Sequence, residues 1–169
     1  MSEIRRETVT IPNTAQRIPY RFEPVTGDMI GRIVALDRLN HAPDPIPEQE
    51  LRESLEDLGT SLIAAVSESG ELMGYAALQV VMDEGYLTHI TVKERYRRKG
   101  LGTELVNVFL RFGQVHLTFL SLAVRERETE SQQFFEHLGF APVETRKELF
   151  GEPDEDGVIM TLKFGGKNE

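Results

Sequence analysis

The stretch Tyr96-Arg97-Arg98-Lys99-Gly100-Leu101-Gly102-Thr103 decides how this chain is read, because it joins basic charge to glycine between an expected strand and an expected helix. Residues 86–92, Tyr-Leu-Thr-His-Ile-Thr-Val, are rich in β-branched and aromatic side chains, as a strand requires. Behind the loop, Leu101, Leu105, Val108, Phe109 and Phe112 recur at spacings that suit one face of a helix. The first N–H groups of such a helix have no intrahelical partner and lie at the positive end of its dipole, so they can receive an anion. Gly100 and Gly102 lack Cβ, which lets a phosphate oxygen approach the main chain. Two other phosphate grips do not match: Leu105 stands where a dinucleotide fingerprint needs its third glycine, and no Gly-Lys-Ser/Thr follows the glycines.

Charge supports a local anion site. Residues 93–99 hold five basic side chains, Lys93, Arg95, Arg97, Arg98 and Lys99, against one acid, Glu94, while the whole chain carries a net charge of −9. A single cationic island on an acidic protein excludes a nucleic-acid surface, which needs a basic stripe across a face. With 169 residues, 40% of them hydrophobic, the chain is expected to form one globular domain over 1–169, with residues 1–17 an N-terminal arm or extra strand. The chain has no cysteine, which excludes disulfides and a cysteinyl acyl-enzyme. No apolar run approaches the roughly 20 residues that span a bilayer, and no signal-peptide core follows the first residues, so a cytoplasmic protein without a membrane partner is expected. The four histidines show no metal-ligand spacing, and no metal is expected.

Outward from the loop, the chain alternates strands and helices. Residues 20–24 read as a strand, and Thr26 as the N-cap of a helix carrying Ile30, Ile33 and Val34. Pro43, Pro45 and Pro47 impose a stiff loop before a second helix with Leu51, Leu55 and Leu58 on one side. Strands at 62–67 and 72–81 flank Glu68-Ser69-Gly70-Glu71, which is hairpin chemistry, and a further strand covers 85–92. After the glycine-led helix come a strand at 117–124, a helix at about 130–138 closed by Gly139, and a hairpin around 151–157. Helices between strands argue an α/β (α+β) fold, and hairpins argue a mixed sheet.

The order strand, Arg97-x-x-Gly100-x-Gly102, helix, strand and Phe134-Phe135-x-x-Leu138-Gly139-Phe140 resembles the GNAT acyltransferase superfamily, most clearly over residues 72–164. Within it, the ending Asp156-Gly-Val-Ile-Met-Thr-Leu is similar to bacterial enzymes that acetylate a ribosomal protein at its N-terminal alanine. The resemblance implies a GNAT fold: a mixed sheet of about six to seven strands, splayed by a bulge between the fourth and fifth and flanked by about four helices. It also implies bound acetyl-CoA as co-substrate, with loop amides of Arg97, Arg98, Lys99, Gly100, Leu101, Gly102 and Thr103 on the pyrophosphate. Strand residues Ile90, Thr91 and Val92 would lie along the pantetheine, and an amine-bearing small molecule or peptide would be the acceptor. Since a bulge breaks the two-residue alternation, the face taken by His89 stays open.

Three positions depart from the family pattern. Phe135 stands where a tyrosine often protonates the leaving thiolate, Ala123 where the ribosomal-protein enzymes carry a glutamate base, and Glu128 where an asparagine helps bind CoA. How much catalysis must be replaced depends on the acceptor. Deprotonating a lysine-like amine at pH 7 costs about 4.6 kcal/mol, an α-amine about 1. The remaining base candidates lie on the strand before the loop: Glu84 and Tyr86 are two residues apart, hence on one face if no bulge intervenes, and other GNAT members place a base near Tyr86. Of the histidines, His89 is nearest the expected cleft, His41 lies in the proline-rich loop, and His116 and His137 fall at helix ends. The tip Glu152-Pro-Asp154-Glu155-Asp156 and residues 40–49 are expected at the acceptor entrance, where acidic charge attracts an ammonium group.

The function expected from the sequence is direct acetyl transfer from acetyl-CoA to an amine, a protein N-terminus, lysine or small amine, in a ternary complex, by a monomer or homodimer. The alternative is a catalytically weak or inactive acyl-CoA-binding sensor.

Overall fold

Four short hydrophobic segments pair early in the chain: β1 (Thr8–Ile11), β2 (Ile18–Pro24), β3 (Thr60–Ser67) and β4 (Leu72–Val81). They continue into β5 (Glu84–Val92), β6 (Phe119–Arg125), β7 (Ala141–Phe150) and β8 (Glu155–Lys163), giving one eight-stranded sheet in the order β1-β2-β3-β4-β5-β6-β8-β7. This computed structural model describes residues 8–11, 18–40, 45–151 and 154–165. His41, Pro43 and Glu152 from the sequence reading, and most of the 1–17 arm, lie outside them. With β1 the sheet has eight strands, where about six to seven were expected.

All neighbouring strands run antiparallel except β5 and β6, which are parallel and pair only from Glu84↔Phe119 to Tyr86↔Ser121. One residue later the register of β5 against β4 slips, from Leu78↔Leu87 to Ala77↔His89, so Thr88 is the extra residue of a bulge. A bulge bends its strand and stops local pairing. Beyond it β5 and β6 part, and the splay expected between the fourth and fifth strands, counted without the arm, lies there.

Helices cover both faces, which is why β3 and β4 are buried along most of their length instead of alternating with solvent. On one face α3 (Leu101–His116) buries Leu101, Leu105, Val106 and Phe109 against Met73, Ala76, Leu78 and Leu120, with α4 (Thr129–His137) contributing Phe135. Each such fully buried side chain stabilises the fold by about 1.5–3 kcal/mol. Val106 was not among the predicted face residues; Val108 and Phe112 are only partly buried at its margin. On the other face α1 (Ile30–Asn40) and α2 (Glu48–Glu56) bury Ile30, Ile33, Val34 and Leu51 against Leu62, Ala64 and Tyr75.

Two local expectations are corrected. Thr26 precedes a 3-10 turn, Gly27–Met29, and its hydroxyl bonds the Asp28 carboxylate instead of capping a helix N–H. Leu58 lies two residues past the end of α2 and is fully exposed, because the chain has already turned extended at Asp57. Gly139, at φ 104°, ends α4 as expected, in a conformation that a Cβ would strain.

Candidate functional site

Gly100 occupies the N-cap of α3 at φ 89°, a left-handed conformation open to glycine at little cost. The first intrahelical bond there runs from Glu104 N–H to the Gly100 carbonyl, 3.0 Å, so helix geometry leaves the N–H groups of Leu101, Gly102 and Thr103 without an intrahelical partner. Gly102 and Thr103 line a cleft of about 670 Å³ that is walled further by Ile90 and Val92 of β5, Arg97, Gly100, and Phe134 of α4. A Cβ on Gly102 would come within 3.4 Å of the Phe134 ring, so a larger side chain would fill this cradle. The donor set and the glycine-lined approach fit a diphosphate.

The basic island divides in two. Glu71 accepts from Lys93 Nζ at 2.9 Å and from the Tyr96 hydroxyl, and lies 3.5 Å from the Arg95 guanidinium. Bonds from Tyr96 and Lys93 hold the Glu71 carboxyl below its ordinary value of 4.5, and burial with the Glu71 bond raises the Tyr96 phenol. Lys93 and Arg95 therefore clasp the 3-10 turn Glu94–Tyr96 to the turn that precedes β4, and Arg97 and Arg98 are the basic residues of the cleft. Arg97 donates through Nε to the Val92 carbonyl at 3.0 Å, fixing the loop to the end of β5.

Of the expected cofactor residues, Ile90, Val92, Arg97, Arg98, Gly100, Gly102 and Thr103 line this cleft. Leu101 is buried in the core beneath it, Lys99 does not line it, and Thr91 turns to the opposite face of the sheet. There the Thr91 hydroxyl donates to Asp37, 3.2 Å.

A second cavity, of about 300 Å³, opens where β5 and β6 part. Ile90, Ser131 and Phe135 border both spaces, so the two adjoin across these side chains. Its walls carry His89, Asn40 and Asp37 on one side and Ala123, Arg125 and Glu128 on the other. Asp37 falls on the apolar stripe of α1 after Ile30, Ile33 and Val34 and is 1% exposed. Its carboxylate accepts from the Tyr75 hydroxyl at 2.9 Å, from Thr91 and from the Ile46 N–H, tying α1 to β4, β5 and the segment before α2. Burial and the Asp37 charge raise the Tyr75 phenol well beyond its ordinary value, so this hydroxyl remains a donor. The His89 ring stacks on Tyr75, centroids 6.5 Å apart, which settles its face: it lies on the wall of the second cavity.

Glu84 and Tyr86 stand at the other end of β5, where it still pairs with β6, and line neither space. They do share a face: the Tyr86 hydroxyl donates to Glu84 Oε2 at 2.8 Å, a bond that raises the phenol further from deprotonation. The acidic tip is also changed in meaning. Glu155 pairs with Arg125 at 3.1 Å and Arg127 at 3.0 Å, and Asp156 accepts from the Glu148 N–H at 2.9 Å. Burial pushes the Glu155 carboxyl up, but the Arg125 and Arg127 bonds outweigh it and the net direction is down. These two acids brace the β7–β8 hairpin instead of forming an open anionic rim. Arg125 is held between Glu155 and the Phe150 ring. Among the described residues, no group of three or more His, Cys, Asp or Glu is placed to hold a metal, and no helix is long and apolar enough to cross a membrane.

The model of the acetyltransferase (GNAT) family matches residues 32–140. An Escherichia coli K12 protein named ribosomal protein bS18-alanine N-acetyltransferase is 31% identical over 100 residues, covering 57% of this chain and 68% of its own length. A Bacillus subtilis protein to which the same activity is assigned provisionally is 30% identical over 96 residues, 56% of this chain, and the match spans 64% of that relative, just under two thirds. The crystal structure of the ribosomal-protein-S18-alanine N-acetyltransferase from Escherichia coli superposes with a TM-score of 0.78 over 89% of this chain and 98% of that one, at 23% identity, a likeness of fold.

Proposed function

The chain belongs to the acetyltransferase (GNAT) family of enzymes, and from that premise we propose that it moves the acetyl group of acetyl-CoA directly to an amine held in the second cavity. One observation carries this reading: a cradle of main-chain donors adjoins a cavity between splayed strands, with Ile90, Ser131 and Phe135 common to both. A long ligand anchored by its diphosphate at residues 97–103 would run along β5 and deliver its far end beside His89 and Ala123. Charge-assisted bonds from such amides contribute about 1.5–3 kcal/mol each, so several of them anchor a diphosphate without any side chain.

When bound, acetyl-CoA supplies an acyl group activated as a thioester. The protein orients it against the acceptor nitrogen, and orientation of this kind can contribute about 7–11 kcal/mol toward the barrier. Glu84 and Tyr86, outside both spaces, support the strand in this reading and do not touch the reacting atoms. The relatives named for a ribosomal-protein alanine support a protein N-terminus as acceptor. An α-amine also needs the least help from a base, in a site where Ala123 and Phe135 carry no acid or base.

The test is calorimetry with acetyl-CoA followed by CoA release over peptides with free N-termini, lysine peptides and small amines. Binding with turnover on a free N-terminus is the expected result. Tight binding with no turnover on any acceptor would favour a sensor, a reading to which Ala123 and Phe135 lend support, and absence of binding would end both.

A further inference from the structure

Most polar groups in the walls of the second cavity are already committed. Asp37 accepts three donors, Arg125 can only donate and is paired to Glu155, and the Thr88 hydroxyl gives its proton to the Ala77 carbonyl at 3.3 Å. Asn40 differs from these. It is the last residue of α1, half-buried, and it lines the cavity beside the part of β5 that no longer pairs with β6.

The Asn40 amide is oriented by what it touches. Its Nδ2 donates to the Val92 carbonyl at 2.9 Å, and that carbonyl also accepts from Arg97 Nε at 3.0 Å. A carbonyl oxygen can only accept, so the nitrogen of the amide and not its oxygen must face Val92. Among the described residues no donor reaches Oδ1, which leaves a neutral acceptor oxygen on a residue of the cavity wall. Closing such a site over a ligand removes water from this oxygen, and a ligand that brings no donor there loses affinity.

We propose that Asn40 Oδ1 receives the first peptide N–H of a polypeptide acceptor, and that this bond selects a chain N-terminus over a lysine side chain. The assignment rests on the acetyl-transfer reading above. In a peptide, that nitrogen is three bonds from the α-amine and about 3.6 Å from it when the chain is extended. An α-amine placed at the thioester therefore carries its N–H to the adjoining wall. A lysine amine has only its four-carbon stem at that distance, so it leaves Oδ1 without a donor in the complex. Asn40 neither takes nor gives the proton of the reacting amine; it holds the acceptor by the second nitrogen.

The probes are a peptide with a free N-terminal alanine and the same peptide with its first peptide bond replaced by an ester, which keeps the amine and the length and removes the N–H. Wild type is expected to lose about 10-fold or more in kcat/KM on the ester. Asn40→Ala should lose a similar factor on the amide peptide and then treat amide and ester alike within about 2-fold. Because each enzyme is compared with itself, general damage from losing the Val92 bond cancels in the ratio. The preference of the wild type for a free N-terminus over a blocked peptide with a free lysine should narrow by the same factor in the variant. Asn40→Leu, which keeps the volume, replaces Asn40→Ala if the latter does not fold. The assignment is overturned if wild type handles amide and ester within about 2-fold, or if the variant keeps the full ester penalty. A wild type that binds no acetyl-CoA, or turns over no amine, overturns the parent reading and the assignment with it.

Discussion

The cleft at residues 97–103 and the cavity beside His89 are neighbours built from different materials. In the first, the ligand-facing groups are main-chain N–H donors at the start of α3, presented by a glycine at φ 89° and kept open by a second glycine. In the second, they are side chains from α1, β5, β6 and α4, held in place by bonds that cross long stretches of chain. A donor ring made of backbone survives most substitutions and is broken mainly by bulk or by altered φ. A wall made of side chains can change its chemistry one residue at a time, and at Ala123 and Phe135 it carries no ionisable group.

That contrast breaks first at Gly102. Gly102→Val should weaken acetyl-CoA binding by at least about 100-fold in calorimetry, the loss of two or so charge-assisted bonds, because the added methyls meet Phe134 and enter the cleft. Unchanged affinity would mean that the backbone ring holds nothing. Asp37→Asn attacks the other region. It leaves the Tyr75, Thr91 and Ile46 donors with one good acceptor oxygen among them, and should cost about 2–3 kcal/mol in urea unfolding. Turnover should fall with it, while acetyl-CoA affinity in the folded fraction moves by less than about 3-fold. A large affinity loss would show the two regions to be one energetic unit.

What was legible in the sequence divides along the same line. The loop, its strand and its helix lie within some thirty consecutive residues, so glycine, charge and periodicity report them directly, as they do the span 72–81, which is β4 to the residue. Asp37 was passed over because its partners Tyr75 and Thr91 are 38 and 54 residues away. A signal did exist: an acid continuing the stripe of Ile30, Ile33 and Val34 must be buried, and a buried carboxylate must have donors. For Glu84 and Tyr86 the two-residue alternation correctly put both on one face, as their bond shows. Which end of β5 opens was decided by the bulge at Thr88, and nothing in that stretch marks an extra residue.

Smaller effects sharpen the comparison at the loop's own supports. Glu71 holds the 3-10 turn through Lys93 and Tyr96, and its carboxyl is depressed, so the stability it contributes is present above about pH 4.5 and is lost as pH falls through its lower folded value. Since the group is partly exposed and screened, Glu71→Gln should cost only about 1 kcal/mol at pH 7. The gap to wild type should close towards pH 3 in parallel urea titrations. A gap that persists in acid would mean that Glu71 acts by packing and not by charge.

The smallest expected effect is at the residue that a motif search would single out. Arg97 opens the Arg-x-x-Gly-x-Gly pattern, yet its Nε is already committed to the Val92 carbonyl, which turns the side chain back along β5. It remains an exposed cation at the rim of the cleft, where screening reduces any attraction to a diphosphate. Arg97→Ala should therefore weaken acetyl-CoA binding by no more than about 3-fold, and by less still at high salt. A loss approaching that of Gly102→Val would place the grip in side chains after all, and the cleft would then be as open to drift as the cavity next to it.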